Sequence, residues 1–265
     1  MKKFNFKDSK IKNLNAKAVN LILEPFPICS VDNFLDSDHY KELYESFPSK
    51  DFFTNPNPDK GNKIALDARS QKVLEYIDSH KVWKEFTQSI NSSESSDFFK
   101  KLLNSHIPKR NNFKDRKWIT DTNFYKDAHD LERTEDANYI RYSFEFSYMK
   151  NGSYIPPHTD SENKVISMIF YFADPDFNWS NYDCGTSFFK TNNVKNSEFK
   201  SWESVHLEDK RLEKFYNTYS EFHYSEFKAN KFLLFIKSDS SWHEVRTLEL
   251  PDEITRKAFI VNIFC

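Results

Sequence analysis

Glycine is scarce in this chain, which has three glycines, Gly61, Gly152 and Gly185, among 265 residues. The familiar phosphate-binding loops need several closely spaced glycines, because the backbone itself must approach the phosphates. No Gly-x-Gly-x-x-Gly or Walker-type loop can be built from three glycines so far apart. Dinucleotide and nucleoside triphosphate sites of these kinds are therefore excluded.

Cysteines and long apolar runs are also scarce. Cys29, Cys184 and Cys265 form neither a paired framework nor a Cys-x-x-Cys metal site, which fits a reducing compartment. No run reaches the roughly 18 apolar residues of a membrane span. The charged segment from Met1 to Lys7 is not followed by the apolar stretch of a secretory signal. We expect a cytoplasmic protein with no membrane contact.

The chain has no large excess of either charge, since it contains 38 basic and 40 acidic residues. A general nucleic-acid binder has a large positive field, so general nucleic-acid binding is not expected, although a local basic groove would be compatible with this balance. The length allows one large domain with a real core. We expect a single domain over residues 1–265, and the sequence does not indicate an oligomeric state.

What the chain does contain is Pro156-Pro157-His158-Thr159-Asp160 and, much later, Trp242-His243-Glu244. On a strand, residues i and i+2 point to the same face, so His158 and Asp160 can reach one metal ion. His243 follows Asp160 by 83 positions and must be brought in by the fold. Two imidazoles and one carboxylate form the facial ligand set of non-haem Fe(II), with coordination positions left open.

The surrounding sequence predicts strands after a helical first part. β-branched and aromatic runs typical of buried strands lie around the ligands: residues 165–172, 184–189, 231–235 and 256–264. Helices are predicted at 39–47, with Ser37 or Asp38 as cap and Pro48 as stop, and near 69–90 and 95–105.

In this order, the motifs from about residue 138 to 265 resemble the 2-oxoglutarate and Fe(II)-dependent dioxygenase superfamily, and within it the prolyl 4-hydroxylase-like branch. A weaker similarity lies at residues 25–27 and 31–35. The resemblance implies a mainly β fold with flanking helices: a double-stranded β-helix (jelly roll, cupin-like) over about 138–265, supported by a helical part over about 1–137. It also implies that His158, Asp160 and His243 hold iron and are the catalytic ligands.

The resemblance further implies 2-oxoglutarate as co-substrate, O2, and ascorbate as a supporting reductant. Arg256, 13 positions after His243, matches the basic residue that grips the distal carboxylate of 2-oxoglutarate. A planar, permanently charged, bidentate partner suits that carboxylate; the alternative for Arg256 is a solvated charge at a strand end. Lys257 would face the opposite side of the strand.

Weaker candidates for co-substrate contacts are Tyr148, Tyr154 and Ser167. The tyrosines stand where family members often place a co-substrate contact, but the spacing to His158 is one residue longer than usual, and ordinary core positions explain them equally well. Ser167, like Asn262, either adds a polar contact within the barrel or is satisfied by the backbone. Ser161 and Lys164 fall where the family has a substrate-facing loop, with a solvated loop as the alternative.

The implied reaction couples decarboxylation of 2-oxoglutarate to hydroxylation of an unactivated C–H bond. Asp160 stands where halogenating relatives have a small residue, which favours hydroxylation. A prolyl residue in a peptide or protein is the first candidate substrate, and a free amino acid or another metabolite is the second. A hydrolytic jelly roll with zinc or another divalent ion, and a binding module without catalysis, stay open as alternatives.

Long polar segments interrupt the predicted strands. Residues 106–137 form a lid or a variable surface loop, and further insertions are expected at about 174–183 and 191–227. The last contains many aromatic residues that either wall the substrate pocket or pack outside the barrel. Its His206 and His223 are weaker ligand candidates than His243 because they lack the Trp-His-Glu-Val sequence that leads to the terminal strands, and the earlier His129 is a weak candidate in a polar loop.

Overall fold

The protein is described from a computed structural model. The residues that the structure describes are 19–53, 61–67, 70–92, 95, 117–118, 139–161, 164–191, 199 and 209–264. The predicted helix at 95–105 lies outside them except for Ser95, and the predicted lid at 106–137 lies outside them except for two residues in a strand.

Three helices precede most of the sheet. Helix α1 (Ser37–Glu45) begins one residue earlier than a Ser37 cap would allow, because the Asp36 carboxylate accepts a hydrogen bond from the backbone N–H of Asp38 at 3.0 Å. The helix predicted near 69–90 is two helices, α2 (Gln71–Ser79) and α3 (Lys81–Ile90), because His80 between them has an extended backbone. None of the described helices is both long and apolar enough to cross a membrane.

Eight strands form the major sheet, in the order β1-β2-β10-β7-β12-β5-β3, with β4 paired to β5 in parallel. These strands are β1 (Val19–Ile22), β2 (Ile28–Val31), β3 (Ile64–Asp67), β4 (Lys117–Trp118), β5 (Tyr139–Met149), β7 (Lys164–Tyr171), β10 (Lys231–Ile236) and β12 (Arg256–Phe264). The first part of the chain therefore also supplies strands, although its sequence pattern predicted helices.

Four strands form the antiparallel minor sheet, in the order β6-β11-β8-β9. They are β6 (Ile155–His158), β8 (Thr186–Lys190), β9 (Ser220–Ser225) and β11 (Trp242–Val245). One buried cluster combines side chains of both sheets, such as Met149 and Phe188, so the sheets pack face to face. The predicted fold class, mainly β with a jelly-roll core and flanking helices, is confirmed.

Alternation along the major sheet separates a helix-covered face from a cavity face. Phe146 on β5 and Phe259 on β12 pack against Trp83 of α3, with ring centroids 4.7 and 5.0 Å apart. Lys257 lies over the Tyr44 ring on this helix-covered face, opposite Arg256, as predicted. The intervening residues of both strands face the other sheet and shape the site.

The predicted insertion at 191–227 contains elements of the core fold. Helix α4 (Asp209–Thr218) presents Phe215, which lies 5.2 Å from Trp242 and 5.3 Å from Phe189 between ring centroids. Strand β9 pairs with β8 and completes the minor sheet. Phe215 and Tyr219 therefore pack the outside of the minor sheet, the second of the two predicted uses, whereas Phe227 at the end of the segment lies against the Arg256 guanidinium.

Candidate metal and co-substrate site

His158, Asp160 and His243 come together at one place in the structure. The two histidines lie opposite each other on paired strands β6 and β11, with ring centroids 4.2 Å apart. One possible ligand atom from each of the three residues lies within 4.8 Å of the others. Among the residues that the structure describes, this is the group of His, Cys, Asp and Glu side chains able to hold a metal ion.

Backbone carbonyls orient both imidazole rings. Nδ1 of His158 lies 2.8 Å from the Pro156 carbonyl oxygen, and Nδ1 of His243 lies 2.9 Å from the Ser241 carbonyl oxygen. A carbonyl only accepts hydrogen bonds, so each Nδ1 carries the proton and each Nε2 keeps its lone pair. This is the usual arrangement for metal-binding histidines.

Burial keeps both rings in the neutral form that binds metals. It lowers the pKa of His158 to about 3, with a further contribution from the neighbouring His243. It also lowers the pKa of His243. For Asp160, burial alone would raise the pKa, but the positive charge and hydrogen bond of Lys164 hold the pKa of this carboxyl below its usual range. The carboxylate is therefore ionised and ready to act as a ligand.

Two side chains fix the Asp160 carboxylate. Lys164 donates to Oδ1 at 2.7 Å, and the Ser167 hydroxyl donates to Oδ2 at 2.7 Å. Ser167 also lies 3.3 Å from Oδ1 of Asn262. The prediction placed Ser167 with the co-substrate or the backbone, whereas the structure places its hydroxyl on a metal-ligand candidate.

The three ligand candidates open onto a cavity of about 680 Å³ between the two sheets. Its walls combine aliphatic side chains with a larger number of polar and charged ones. The residues around it are Lys63, Glu145, Ile155, Pro156, His158, Thr159, Asp160, Ser161, Lys164, Ser167, Ile169, Thr186, Phe235, His243, Glu244, Val245, Arg256, Ile260 and Asn262. Ser161 and Lys164, predicted near the substrate, are among them.

Arg256 lies in the same cavity and is buried, in contrast to the alternative of a solvated strand-end charge. Its Nε donates to the Cys184 carbonyl oxygen at 2.6 Å, and its guanidinium lies 5.3 Å from the Tyr171 ring centroid and 5.2 Å from that of Phe227. No carboxylate in the described part of the chain forms an ion pair with it. A buried cation without an acidic partner is costly unless an anionic ligand completes it.

Hydroxyl groups accompany this guanidinium. The Tyr171 hydroxyl lies 2.8 Å from Oγ1 of Thr186, and both side chains are buried. Burial raises the pKa of Tyr171, despite the opposing charge of Arg256, so its hydroxyl keeps a proton that it can donate. Thr186 was predicted as part of a strand without a role; its place in the cavity depends on which face of β8 turns inward.

Tyr148 and Tyr154 are not brought into the cavity. The Tyr148 ring packs 5.6 Å from Phe53 within the helix-side cluster. Tyr154 donates its backbone N–H to the Gly61 carbonyl oxygen at 2.9 Å, and its ring lies against Gly61. Neither placement supports a contact with the co-substrate.

The alternative ligand His223 lies elsewhere, on β9, with its ring stacked on Phe188 at 5.9 Å. His206 and His129 lie outside the described residues.

Lys63 and Glu145 are cavity residues that sequence reasoning missed. The chain contains many lysines and glutamates, and no local sequence signal separates these two from the others. Their position in the cavity that contains the metal-binding group does so.

Comparisons with known proteins give a similarity of fold. No protein-family model matches the chain, and no curated protein matches it. A prolyl-4-hydroxylase from Pseudomonas putida is 12% identical, with a TM-score of 0.47, over 92% of this chain and 95% of that one. A 2OG-Fe(II) oxygenase family oxidoreductase from Burkholderia pseudomallei is 10% identical, with a TM-score of 0.45, over 89% and 84%. The non-heme alpha ketoglutarate dependent epimerase SnoN from nogalamycin biosynthesis is 9% identical, with a TM-score of 0.47, over 89% and 78%.

Proposed function

We propose that this protein is an Fe(II)- and 2-oxoglutarate-dependent dioxygenase that hydroxylates an unactivated C–H bond. One observation carries the proposal. A buried guanidinium without an acidic partner among the described residues shares a cavity with two neutral imidazoles and one ionised carboxylate. A metal ion at the three ligands and a dicarboxylate between that ion and Arg256 would satisfy all four groups.

The donor set fits Fe(II). His158 and His243 would bind through Nε2 and Asp160 through a carboxylate oxygen, which leaves coordination positions open. When bound, iron supplies the activation of O2 that couples decarboxylation of 2-oxoglutarate, to succinate and CO2, with oxygen insertion into the substrate. The protein's contribution is to position these ligands.

Arg256 is proposed to bind the distal carboxylate of 2-oxoglutarate through its terminal nitrogens, since Nε is already bonded to a backbone carbonyl. The Tyr171 and Thr186 hydroxyls stand beside it as further donors. Aliphatic side chains of Ile169 and Ile260 line the same cavity as Arg256. A hydrolytic metal site would leave the buried cation at Arg256 unexplained.

The sequence favours a prolyl residue in a peptide or protein as the target, with a free amino acid or another small metabolite as the second candidate. One observation favours the second. The ion pair of Lys63 and Glu145 lines the cavity, and the backbone around an internal prolyl residue carries no charge to meet it.

The experiment uses protein purified without oxygen and loaded with Fe(II), 2-oxoglutarate and ascorbate. After addition of O2, we expect succinate to form, to form faster with the right substrate, and to accompany a product that is one oxygen atom heavier. The Asp160→Ala protein should form neither. A wild-type protein that binds Fe(II) but yields no succinate under any condition would overturn the proposed function.

A further inference from the structure

The cavity contains a second charged pair, which neither the metal nor the co-substrate uses. Lys63, just before β3, and Glu145, in the middle of β5, form an ion pair between Nζ and Oε1 and both line the cavity. Glu145 points into the cavity because its neighbours Phe144 and Phe146 lie in the helix-side cluster.

Burial distinguishes this pair from the other ion pairs of the described residues. Its side chains are 13% and 19% exposed, and the one other pair with both partners below a fifth exposed is Lys164 with Asp160, at 16% and 8%. That other pair belongs to a metal-ligand candidate. Elsewhere in the described chain at least one partner is far more exposed, as in Lys41 with Glu45 at 72% and 62%.

Fold stability does not account for the pair. Two charges removed from water lose hydration that their mutual attraction rarely repays, and well-packed apolar residues in the same place are often equally stable or more so. Each partner also keeps spare capacity, because an ammonium has three donors and a carboxylate about four acceptor positions. A ligand in the cavity can use the remaining donors of Lys63 and the remaining acceptor positions of Glu145.

The pair also shares its cavity with the metal-binding group. Lys63 and Glu145 line the space onto which His158, Asp160 and His243 open. A substrate held by Lys63 and Glu145 would therefore have its carbon atoms close to the metal ligands. The aliphatic side chains of Ile155 and Val245, paired across β6 and β11, line the same space.

We propose that Lys63 and Glu145 recognise the charged head group of a free amino acid with an aliphatic side chain, the primary substrate. Lys63 binds the α-carboxylate and Glu145 binds the α-ammonium, so the two charges of the substrate meet the two charges of the pair. An internal peptide residue has neither charge. A simple carboxylic acid would meet Lys63 but be repelled by Glu145. This inference rests on the proposed function and names the substrate class of that site.

The first test compares free amino acids with blocked ones on the wild-type enzyme loaded with Fe(II) and 2-oxoglutarate. Aliphatic amino acids, proline included, are assayed beside their N-acetyl and methyl ester derivatives and beside short peptides that contain the same residues. We expect free amino acids to stimulate succinate formation and to be hydroxylated. Either block should raise KM at least about tenfold, because each removes a charge-assisted hydrogen bond.

The second test uses the double variant Lys63→Met/Glu145→Gln, which leaves no unpaired charge and nearly preserves side-chain volume. Its preference for free over blocked amino acids should fall to about one, whereas a merely structural role would leave that ratio unchanged. Lys63→Arg with Glu145→Asp, which keeps both charges, should recover part of the preference. The surface pair variant Lys41→Met/Glu45→Gln is the matched control and should behave as wild type.

The outcomes separate this inference from the proposed function. Succinate formation that peptides stimulate and free amino acids do not would overturn the inference and leave the dioxygenase assignment standing. An unchanged ratio in the double variant would do the same. Absence of any 2-oxoglutarate turnover in wild-type protein that binds Fe(II) would overturn both.

Discussion

At the scale of single residues, Arg256 is a buried cation without an acidic partner among the described residues. Its ligand should therefore be an anion. Its replacement by methionine should weaken 2-oxoglutarate binding about thirtyfold or more, because loss of one partner from a buried charge pair costs at least about 2 kcal/mol. Titration calorimetry without oxygen, on metal-loaded protein, measures this change.

Arg246 provides the matched control for Arg256. It forms ion pairs with Asp183 and Glu221 at 2.6 Å on the exposed side of the minor sheet. Arg246→Met should bind 2-oxoglutarate as wild type does. Equal affinity in the folded Arg256→Met protein would remove this residue from the carboxylate site.

Ser167 is a second residue whose role comes from one hydrogen bond. The Ser167→Ala protein should hold metal about 10- to 100-fold more weakly, because Asp160 then loses the hydroxyl that fixes its Oδ2. Competition with a coloured chelator measures the dissociation constant for Co(II). Ser187→Ala is the control, since its buried hydroxyl has no hydrogen-bond partner in the described structure. Equal Co(II) affinity in both variants would show that Ser167 does not position the ligand.

His223 gives a residue-scale expectation for pH. Burial lowers its pKa in the folded protein, with a smaller contribution from Lys231. The unfolded chain therefore binds the proton more readily. The stability that the neutral ring contributes is complete above its unfolded pKa of about 6.5 and is lost as pH falls towards the lower folded value.

The His223→Phe protein keeps a ring to stack on Phe188 and cannot titrate. Between about pH 7.5 and 5.5 it should lose less stability than wild type. Urea unfolding at several pH values measures the difference. Parallel losses in the two proteins would show that His223 titrates in the native state as it does in the unfolded chain.

At the scale of elements, the approach of β8 to β9 depends on Gly185. A methyl group there would collide with the Ser225 carbonyl oxygen and would lie 2.6 Å from the Tyr224 ring. Because the carbonyl belongs to a paired strand, it cannot move without disturbing the minor sheet. Gly185→Ala should therefore be strongly destabilising and should displace Thr186, the next residue.

Gly152 provides the comparison within the same protein. A methyl group there meets nothing within 4 Å, and the cost comes from its φ of +76° alone. Gly152→Ala should cost about 1–2 kcal/mol, less than Gly185→Ala, as measured by urea unfolding. If Gly152→Ala were the more destabilising of the two substitutions, β8 and β9 would be able to move apart without a loss of stability.

At the scale of the whole molecule, metal binding should stabilise the fold, because His243 lies 83 positions after Asp160 and meets His158 and Asp160 only when β6 and β11 are paired. At a free Co(II) concentration about 100 times the dissociation constant, the gain is about 2.7 kcal/mol, or roughly 5 to 10 °C in melting temperature for a chain of this size. Asp160→Ala should lose most of this shift, and Asp252→Ala, an exposed carboxylate, should keep it. A Co(II) shift of equal size in Asp160→Ala would place the metal elsewhere.

Local pattern predicted much of this protein. Strand periodicity predicted β7, β10 and β12 nearly to the residue. His158 and Asp160 meet at one site as predicted, although β6 ends at His158 and Asp160 lies just beyond the strand. The break at His80 was not predicted. The hydrophobic pattern of a helix continues across a single extended residue when the helices before and after that residue bury the same face.

The sequence by itself determined the metal-ligand candidates, through residue type and spacing, and its resemblance to a known family implied the fold class and the position of Arg256. Only the tertiary structure decided which polar side chains share the cavity. Lys63, Glu145 and Thr186 come from distant strands, while Tyr148 and Tyr154 turn away from the site. The physical reason is that a side chain's neighbours across two sheets are set by strand order and register, which no local stretch of sequence contains.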